Sequence, residues 1–314
     1  MTSTPDLAAI RAAAAAVAGK VRRTPMIPAE LDKVLLSGRV LLKLECLQVT
    51  GSFKARGALN TLSALTPAEI GRGIITASGG NHGLAVAYAG YVAKTPATIF
   101  LPKSVPPAKI AKLEAWGAKT VVEGAVWDDA NRGALTQAAE KGLTYIHPFA
   151  DPRVIAGQGT LGLELLEQAP DLDTVLVAIG GGGLISGVAL AVKAMKPSIK
   201  VIGIEPTGAP TLYESVRAHR LVELQRIDTA AGTLAPRMSA EINLQIISKH
   251  VDEIVLVSDE EMRAAARWLW FEHGVAAELS GAASVAALLA GRYKPRESER
   301  ICALVCGAGS DGIG

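Results

Sequence analysis

A lysine in an unusual position belongs to the segment best suited to chemistry. Residues 50–57 read Thr-Gly-Ser-Phe-Lys-Ala-Arg-Gly, so small, turn-forming residues precede apolar side chains at helical spacing. This pattern predicts a helix that begins near Lys54, with Ser52 as its N-cap. A cation in the first turn faces the positive end of the helix dipole. We therefore expect Lys54 to lose its proton more readily than a surface lysine, and a neutral amine can attack a carbonyl carbon.

Two glycine-rich loops follow predicted strands and precede predicted helices. One follows the strand at 73–77 and consists of Ser78, Gly79, Gly80, Asn81 and His82. The other follows the strand at 174–179 and consists of Gly180, Gly181, Gly182, Gly183 and Leu184. Backbone N–H groups at such helix N-termini suit a carboxylate or a phosphate. Each loop alone could also be a plain turn, with Asn81 as a cap and His82 as a packed side chain.

A third loop follows the last apolar strand and begins with Cys306. A lone lysine would be a solvated side chain, but three such loops together with Lys54 suit a phosphorylated ligand that carries a carbonyl group. The four glycines would hold the phosphate and Lys54 the aldehyde. Residues 157–162 also match the dinucleotide pattern GxGxxG, but we discount this match because they fall in a predicted helix rather than after a strand.

An alternation of strands and helices must position these loops. Short runs rich in valine and isoleucine predict strands at 40–44, 73–77, 97–101, 119–122, 174–179, 200–205, 253–257 and 300–305. Longer stretches predict helices at 6–19, 54–65, 81–93, 106–116, 127–141, 153–168, 184–195, 209–218, 259–273 and 282–290. The alternation predicts an α/β fold of parallel sheets covered by helices, in which ligands bind at the carboxyl ends of strands.

The overall composition argues against several classes of protein. Among 314 residues, 32 Lys and Arg nearly balance 30 Asp and Glu, and no basic run occurs, which argues against nucleic-acid binding. No apolar run reaches the roughly 18 residues that a membrane-spanning helix needs. Three cysteines, Cys46, Cys302 and Cys306, lack the spacing of a zinc site and are interpreted as free thiols. We therefore expect a soluble cytoplasmic protein.

In their order and spacing, five segments resemble the fold-type II pyridoxal-phosphate enzymes, specifically the serine/threonine dehydratase and serine racemase family. They are residues 42–58, 78–82, 147–149 with 154–160, 180–184, and 205–206 with 209–211, so the resemblance covers nearly the whole chain. It implies a tryptophan synthase β-like α/β fold, with two open, twisted, mostly parallel sheets and helices on both faces.

The resemblance also implies how the chain is divided and how it assembles. We expect a large pyridoxal-phosphate-binding domain made of residues 1–74 and 150–314. A small mobile domain of residues 75–149 would be inserted in it, and the cofactor would lie in the cleft between them. A homodimer is expected. Because the sequence ends at Gly314, we expect no regulatory domain like that of the biosynthetic threonine dehydratases.

The resemblance gives each candidate residue a role. Lys54 would bind the cofactor aldehyde and remove the substrate Cα proton, and Asn81 would form a hydrogen bond with the pyridoxal 3-oxygen. Residues 78–82 would hold the substrate carboxylate, and residues 180–184 the cofactor phosphate. Three further residues would line the cofactor, the last of them facing its pyridine nitrogen: Phe53, Glu278 and Cys306.

The implied reaction is a β-elimination from L-threonine or L-serine that yields a 2-oxo acid and ammonia. Racemases of the family carry a serine at the position of Gly79, and a glycine offers no proton donor there, which favours elimination over racemisation. Other activities stay open: a lyase or racemase that acts on another β-hydroxy amino acid, such as hydroxyaspartate or phenylserine, or a β-replacement enzyme. A non-catalytic protein that binds pyridoxal phosphate also stays open.

A cation site is the last feature that the resemblance implies. It would use the carboxylate of Glu205 and the backbone carbonyl of Ala209. Thr211 stands where divalent-dependent members carry an acid, and one carboxylate fewer favours a monovalent ion or none.

Overall fold

Ten strands form two β-sheets in the computed structural model, which describes residues 4–29 and 39–313. The strands are β1 (Met26–Pro28), β2 (Arg39–Lys43), β3 (Ile74–Ala77), β4 (Ala97–Leu101), β5 (Lys119–Val122), β6 (Thr144–Tyr145), β7 (Thr174–Ala178), β8 (Lys200–Pro206), β9 (Glu253–Val257) and β10 (Arg300–Leu304). The larger sheet has the order β1-β2-β10-β7-β8-β9 and the smaller sheet the order β5-β4-β3-β6. Within these described strands, every neighbouring pair is parallel except β1 with β2.

Twelve α-helices accompany the sheets in the described part of the chain. They are α1 (Leu7–Val17), α2 (Lys54–Ser63), α3 (Pro67–Arg72), α4 (Asn81–Ala93), α5 (Pro107–Glu114), α6 (Trp127–Lys141), α7 (Pro152–Gln168), α8 (Gly183–Met195), α9 (Thr211–Ala218), α10 (Glu241–His250), α11 (Asp259–His273) and α12 (Leu279–Leu289). Three 3-10 helices add Glu45–Leu47, Val49–Gly51 and Gly232–Leu234. None of the described helices is both long and apolar enough to cross a membrane.

Strand β7 shows how the larger sheet is built. Its five residues, Thr-Val-Leu-Val-Ala, are all buried, and such a run without polar alternation is typical of a strand covered on both faces. It pairs in parallel with β8 and β10, while helices α8 and α12 pack against it. The largest apolar cluster surrounds this sheet, and a second cluster lies around the smaller sheet.

The glycines of the GxGxxG match are used for helix packing. They lie inside α7, as the sequence predicted. A Cβ at Gly157 would lie 2.6 Å from the carbonyl oxygen of Arg56 in α2. A Cβ at Gly162 would lie 2.7 Å from the Cβ of Ala191 in α8. Because a side chain does not fit at either position, the glycines allow α7 to approach both neighbouring helices closely.

The predicted elements are all present, and the predicted α/β fold with two mostly parallel sheets is confirmed. Each of the eight predicted strands begins and ends within one residue of its observed bounds, and each of the ten predicted helices within three. Strands β1 and β6 and helices α3 and α10 were not predicted. The three cysteines are free and buried, as expected.

Ser52 is not the N-cap of α2, so this sequence prediction is wrong. Phe53 occupies the N-cap position, without a side-chain hydrogen bond. The backbone of Ser52 is extended (φ −161°, ψ 163°) and forms an isolated bridge with Gly307. Its hydroxyl is buried and has no hydrogen-bond partner among the described residues. Pairing with a distant part of the chain has therefore replaced the local cap.

The chemically interesting loops leave the carboxyl ends of strands. Residues 78–82 follow β3, residues 180–183 follow β7, and Cys306 follows β10. The start of α2 is tied to the last of these, because the N–H of Phe53 donates a hydrogen bond of 3.3 Å to the Cys306 carbonyl oxygen. The smaller sheet is built from residues between 74 and 145. The division into a large and a mobile domain stays a prediction.

Candidate active site

Lys54 is the first residue of α2, and its side chain is half-buried. Its Nζ donates a hydrogen bond of 2.7 Å to the carbonyl oxygen of Pro148 and lies 5.2 Å from the centroid of the Phe53 ring. Burial lowers the pKa of Lys54 to about 8, while the neighbouring Cys306 and Glu278 oppose this shift. The sequence predicted the direction of the shift from the helix dipole, but burial is the main cause.

The turn that follows β6 presents the carbonyl group that accepts from Lys54. The Nδ1 atom of His147 accepts hydrogen bonds from the N–H groups of Phe149 and Ala150, at 3.2 and 2.9 Å. Burial, helped by the charge of Lys54, lowers the pKa of His147 to about 4. The ring is therefore neutral near pH 7 and can accept at Nδ1. His147 thus holds the turn that carries Pro148.

Asn81 begins α4 and contacts residues that lie far away in the sequence. Its Nδ2 donates a hydrogen bond of 2.8 Å to Oε1 of Glu278. Ser280 donates to the same oxygen at 2.5 Å, and its carbonyl oxygen accepts from the thiol of Cys306 at 3.4 Å. Burial raises the pKa of Cys306, so the thiol is neutral near pH 7. The fold therefore brings together three of the predicted site residues.

The turn of residues 180–183 has no room for side chains. A Cβ at Gly181 would lie 2.2 Å from the Phe149 ring. Gly182 has a φ of +91°, which strongly favours glycine. Helix α8 begins at the last glycine of the turn, and the first N–H groups of a helix have no partner within it. The turn is therefore suited to bind an anion, while the next residue, Leu184, is buried in the core.

The loop between β3 and α4 contains the predicted substrate-binding residues. The N–H of Gly80 donates to the Ser78 hydroxyl at 3.3 Å. His82 is buried, and its Nε2 lies 3.0 Å from the Ile146 carbonyl oxygen. Burial, helped by the charge of Lys54, lowers the pKa of His82 to about 3, so the ring is neutral. His82 therefore supplies packing and a backbone contact rather than a positive charge.

Gly79, where the family resemblance implies a serine in racemases, is covered by Val105. A Cβ at Gly79 would lie 2.5 Å from Cγ2 of Val105 and 3.1 Å from its Cγ1. The valine belongs to the loop between β4 and α5. A larger residue at position 79 therefore requires Val105 to move.

Glu205, one of the two predicted cation ligands, binds the start of a helix. Its carboxylate accepts hydrogen bonds from the N–H groups of Leu212 and Tyr213 in α9, at 2.9 and 2.7 Å. Burial raises the pKa of Glu205 to about 8. Ala209, the other predicted ligand, is also buried. The described part of the chain contains no group of three or more His, Cys, Asp and Glu residues that could hold a metal ion. The cation site stays a prediction.

Sequence reasoning gave no role in the site to several residues that support it. They are Pro148, Thr233, Asn243 and Ser280. Asn243 in α10, for example, donates a hydrogen bond of 3.2 Å to the Phe149 carbonyl oxygen, behind the glycine turn. The two residues are 94 positions apart in the chain. No local spacing rule connects them, so only the fold reveals the contact.

The family described as "Pyridoxal-phosphate dependent enzyme" matches residues 17–307. The chain belongs to this family. The predicted family and its cofactor, pyridoxal phosphate, are thereby confirmed.

Several relatives and solved structures are similar over most of the chain. L-threonine ammonia-lyase of Thermotoga maritima is 41% identical over 269 residues, covering 86% of this chain and 67% of the relative. L-threonine dehydratase catabolic TdcB of Staphylococcus aureus is 37% identical over 309 residues, covering 98% of this chain and 89% of the relative. The crystal structure of a threonine deaminase from T.th. matches with a TM-score of 0.91 and 38% identity, over 97% of this chain and 98% of that one. Maize serine racemase matches with a TM-score of 0.94 and 35% identity, over 98% and 94%.

The residues of the site fit pyridoxal phosphate. An amine with a pKa of about 8, that of Lys54, can react with an aldehyde near neutral pH. Gly181 has no room for a side chain beside the Phe149 ring, and the N-terminus of α8 favours a phosphate at the turn of residues 180–183. The amide of Asn81 and the neutral thiol of Cys306 supply the uncharged partners that the ring would need.

Proposed function

We propose that the protein is a pyridoxal-phosphate-dependent ammonia-lyase that converts L-threonine, L-serine or both into a 2-oxo acid and ammonia. The observation that carries the proposal is the half-buried amine of Lys54, whose pKa is lowered to about 8, in the same site as the neutral thiol of Cys306. The threonine ammonia-lyase and threonine dehydratase among the relatives support threonine as a substrate.

Lys54 has two tasks in this reaction. At rest its amine would hold the cofactor, and it would be freed when the substrate amino group takes its place. During the reaction the amine takes the Cα proton of the substrate, and the carbonyl oxygen of Pro148 is placed to accept a hydrogen bond from the ammonium group that results. When bound, the cofactor supplies an aldehyde for the amino group and a ring that withdraws electrons from Cα. In total the substrate loses this proton and its β-hydroxyl group as one molecule of water, and the released unsaturated amine then takes up water and gives off ammonia.

The uncharged partners of the ring favour elimination. Cys306 would face the pyridine nitrogen with a neutral thiol, which cannot hold that nitrogen in its protonated form as a carboxylate would. Electron withdrawal from Cα is then moderate, and prompt loss of the β-hydroxyl is favoured. Asn81 would form a hydrogen bond with the 3-oxygen, and Phe53 would pack beside the ring.

Backbone N–H groups would bind two anionic groups, the phosphate of the cofactor and the carboxylate of the substrate. Residues 180–184, at the N-terminus of α8, would bind the phosphate. Residues 78–82, at the N-terminus of α4, would bind the substrate carboxylate. Closure of a small domain of residues 75–149 over a large domain of residues 1–74 and 150–314 would exclude water.

Racemisation is the second candidate, because the structure is similar to maize serine racemase. Reprotonation from the face opposite Lys54 would need a proton donor there. Gly79 has no side chain, and Val105 fills the space where one would begin. The site therefore favours elimination, and a chiral assay for D-serine formed from L-serine distinguishes the two reactions.

The assembly and location of the protein are part of the same proposal. We expect a homodimer, as the family resemblance implies, and light scattering of the purified protein measures this directly. Three buried free thiols, Cys46, Cys302 and Cys306, suit the reducing cytoplasm. A monovalent or divalent cation at Glu205 and Ala209 would be detected by activity after dialysis against a chelator and addition of single salts.

A substrate panel tests the proposed function. The purified protein with pyridoxal phosphate is given L-threonine, L-serine, D-serine, 3-hydroxyaspartate and phenylserine, and the 2-oxo acid and ammonia are measured. We expect stoichiometric 2-oxo acid and ammonia from L-threonine or L-serine. The proposal is wrong if neither of these two substrates yields them.

A further inference from the structure

Glu278 stands at the N-cap position of α12 but does not cap this helix. An acidic side chain at an N-cap ordinarily accepts a hydrogen bond from the first turn of its own helix. Here the N–H of Leu279 donates instead to Asp311, at 2.8 Å. The carboxyl group of Glu278 is therefore available for other partners, and the structure directs it toward Asn81 at the start of α4.

A chain of hydrogen bonds with a defined direction ends on one oxygen of Glu278. Thr233 Oγ1 lies 2.6 Å from Ser280 Oγ and 3.4 Å from Oε1 of Glu278, so its single proton is best used on Ser280. Ser280 then donates to Oε1 at 2.5 Å. Asn81 Nδ2 donates to the same oxygen at 2.8 Å. Two good donors occupy both lone pairs of Oε1, so any proton on the carboxyl group must lie on Oε2.

Two glycines in the loop that follows β10, Gly307 and Gly309, lie beside this carboxyl group. A Cβ at Gly307 would lie 2.4 Å from Oε1 of Glu278 and 3.1 Å from Nδ2 of Asn81. A Cβ at Gly309 would lie 2.6 Å from the Cβ of Glu278. A side chain at either position would therefore displace Glu278, so glycine is required beside this contact.

The charged and titratable neighbours of Glu278 are Asp311, Cys306 and Lys54. Burial raises the pKa of Glu278, the carboxylate of Asp311 adds to this shift, and the hydrogen bonds from Ser280 and Asn81 oppose it. An uncharged amide of the same shape, glutamine, preserves an oxygen that can accept from both donors.

We propose that Glu278 is a positioning residue that fixes the side-chain amide of Asn81 and so joins the loop before α4 to the start of α12. The inference rests on the proposed function, in which Asn81 binds the cofactor. Because Glu278 takes one N–H of the Asn81 amide, the second N–H and the carbonyl oxygen of that amide have a fixed direction. Helix α4 packs on the smaller sheet and α12 on the larger one, so this contact joins the two.

A double-mutant cycle with Asn81 tests the inference without relying on turnover. The dissociation constant of pyridoxal phosphate is measured by visible absorbance for the wild type, Glu278→Ala, Asn81→Ala and the double variant. We expect each single variant to weaken binding by about 10-fold, as for the loss of a hydrogen bond to a buried partner. If Glu278 acts through Asn81, the double variant binds within about 2-fold of Asn81→Ala.

Two conservative variants separate positioning from charge and from a merely structural role. Glu278→Gln should bind the cofactor within about 3-fold of the wild type, because its amide oxygen still accepts from Asn81 and Ser280. Glu278→Asp keeps the acid but withdraws it by one methylene, and should lose about 10-fold. Glu260→Ala, at an exposed glutamate of α11, serves as the matched control and should bind like the wild type.

The possible outcomes decide the inference. It is overturned if the effects of Glu278→Ala and Asn81→Ala multiply, or if Glu278→Ala binds like the wild type. It is also overturned if aspartate preserves binding and glutamine abolishes it. If Glu278→Ala does not fold, the comparison of glutamine with aspartate decides alone. If the wild type binds the cofactor but makes no 2-oxo acid, the proposed function fails while the binding cycle still tests Glu278.

Discussion

The amine of Lys54 donates a hydrogen bond of 2.7 Å to the carbonyl oxygen of Pro148. This contact ties the start of α2 to the turn after β6, 94 residues further along the chain. The neutral ring of His147 holds that turn by accepting two backbone N–H groups. A reactive amine is therefore held against a fixed acceptor rather than in solvent, and burial lowers its pKa.

The rate at which the cofactor-free protein attaches pyridoxal phosphate should rise with pH and reach half its maximum near pH 8. Burial lowers the pKa of Lys54 from 10.5 to about 8, so the amine is charged and unreactive below that pH and neutral above it. The growth of visible absorbance after mixing measures the rate. Lys54→Ala is the control and should show no such growth at any pH. A midpoint near 10.5 would contradict the lowered pKa.

The carbonyl of Pro148 should lose its position when His147 is replaced. His147→Ala removes the acceptor of the Phe149 and Ala150 N–H groups and leaves two partly buried donors unpaired. We expect kcat to fall by about 10-fold, while KM changes less, because the amine of Lys54 is misplaced rather than the substrate. His147→Asn is the conservative variant, and its side-chain oxygen should restore part of the rate. If kcat falls and KM rises by the same factor, this role of His147 is contradicted.

Serine at position 79 should not create a racemase while Val105 stays in place. The new Cβ would lie 2.5 Å from Cγ2 of Val105, and such overpacking costs about 1–3 kcal/mol. Gly79→Ser should therefore lower the unfolding temperature and the lyase activity without yielding D-serine. Gly79→Ser with Val105→Ala should regain stability, because the valine methyl groups are removed.

The matched control for this prediction is Gly71→Ser in α3, where an added Cβ has no atom within 4 Å. It should leave both the unfolding temperature and the activity close to those of the wild type. Formation of D-serine by the single variant Gly79→Ser would show that Val105 does not restrict this position.

Much of the fold could be predicted because its strands are local patterns. Apolar runs that end in glycine, such as β7 before residues 180–183, are visible in the sequence alone. Strand β6 has only two residues and therefore gives no run to detect. Helix α3 did carry a readable signal, since Thr66 and Glu69 form a capping box and Pro67 stands at the first helical position.

Part of the candidate site could be predicted from the sequence, and there is a physical reason why the rest could not. The glycine turn and Lys54 belong to contiguous motifs, so their types and spacing indicate an aldehyde and a phosphate. The contact of Asn81 with Glu278 joins residues 197 positions apart, and no period connects them. Ser52 looks like an N-cap in its local sequence, but its bridge with Gly307 forms only in the folded chain. The long-range partners of a site therefore require the structure.

Breaking a buried network of four charges should cost more stability than breaking a surface ion pair. Arg56 binds Glu45 through two hydrogen bonds and Glu164 through a third, and Lys43 also contacts Glu164. Removing one partner leaves a buried charge unpaired, so Arg56→Met should lower the free energy of unfolding by about 3–5 kcal/mol. Chemical denaturation of the cofactor-free protein measures this value.

The surface pair of Arg23 with Glu167 provides the comparison, because both side chains are more than half exposed. Arg23→Met should change the free energy of unfolding by less than about 1 kcal/mol. Equal effects of Arg23→Met and Arg56→Met would contradict the importance of the buried network.

The central claim is that the amine of Lys54 and the turn of residues 180–183 together make a pyridoxal-phosphate ammonia-lyase. The most direct test is the amount of 2-oxo acid and ammonia released from L-threonine and L-serine by the purified protein with pyridoxal phosphate, with Lys54→Ala measured in parallel. We predict that the wild type turns visibly yellow and releases both products in equal amounts, and that the variant does neither. A wild type that binds the cofactor through another residue, or that releases no 2-oxo acid from either amino acid, would contradict the account.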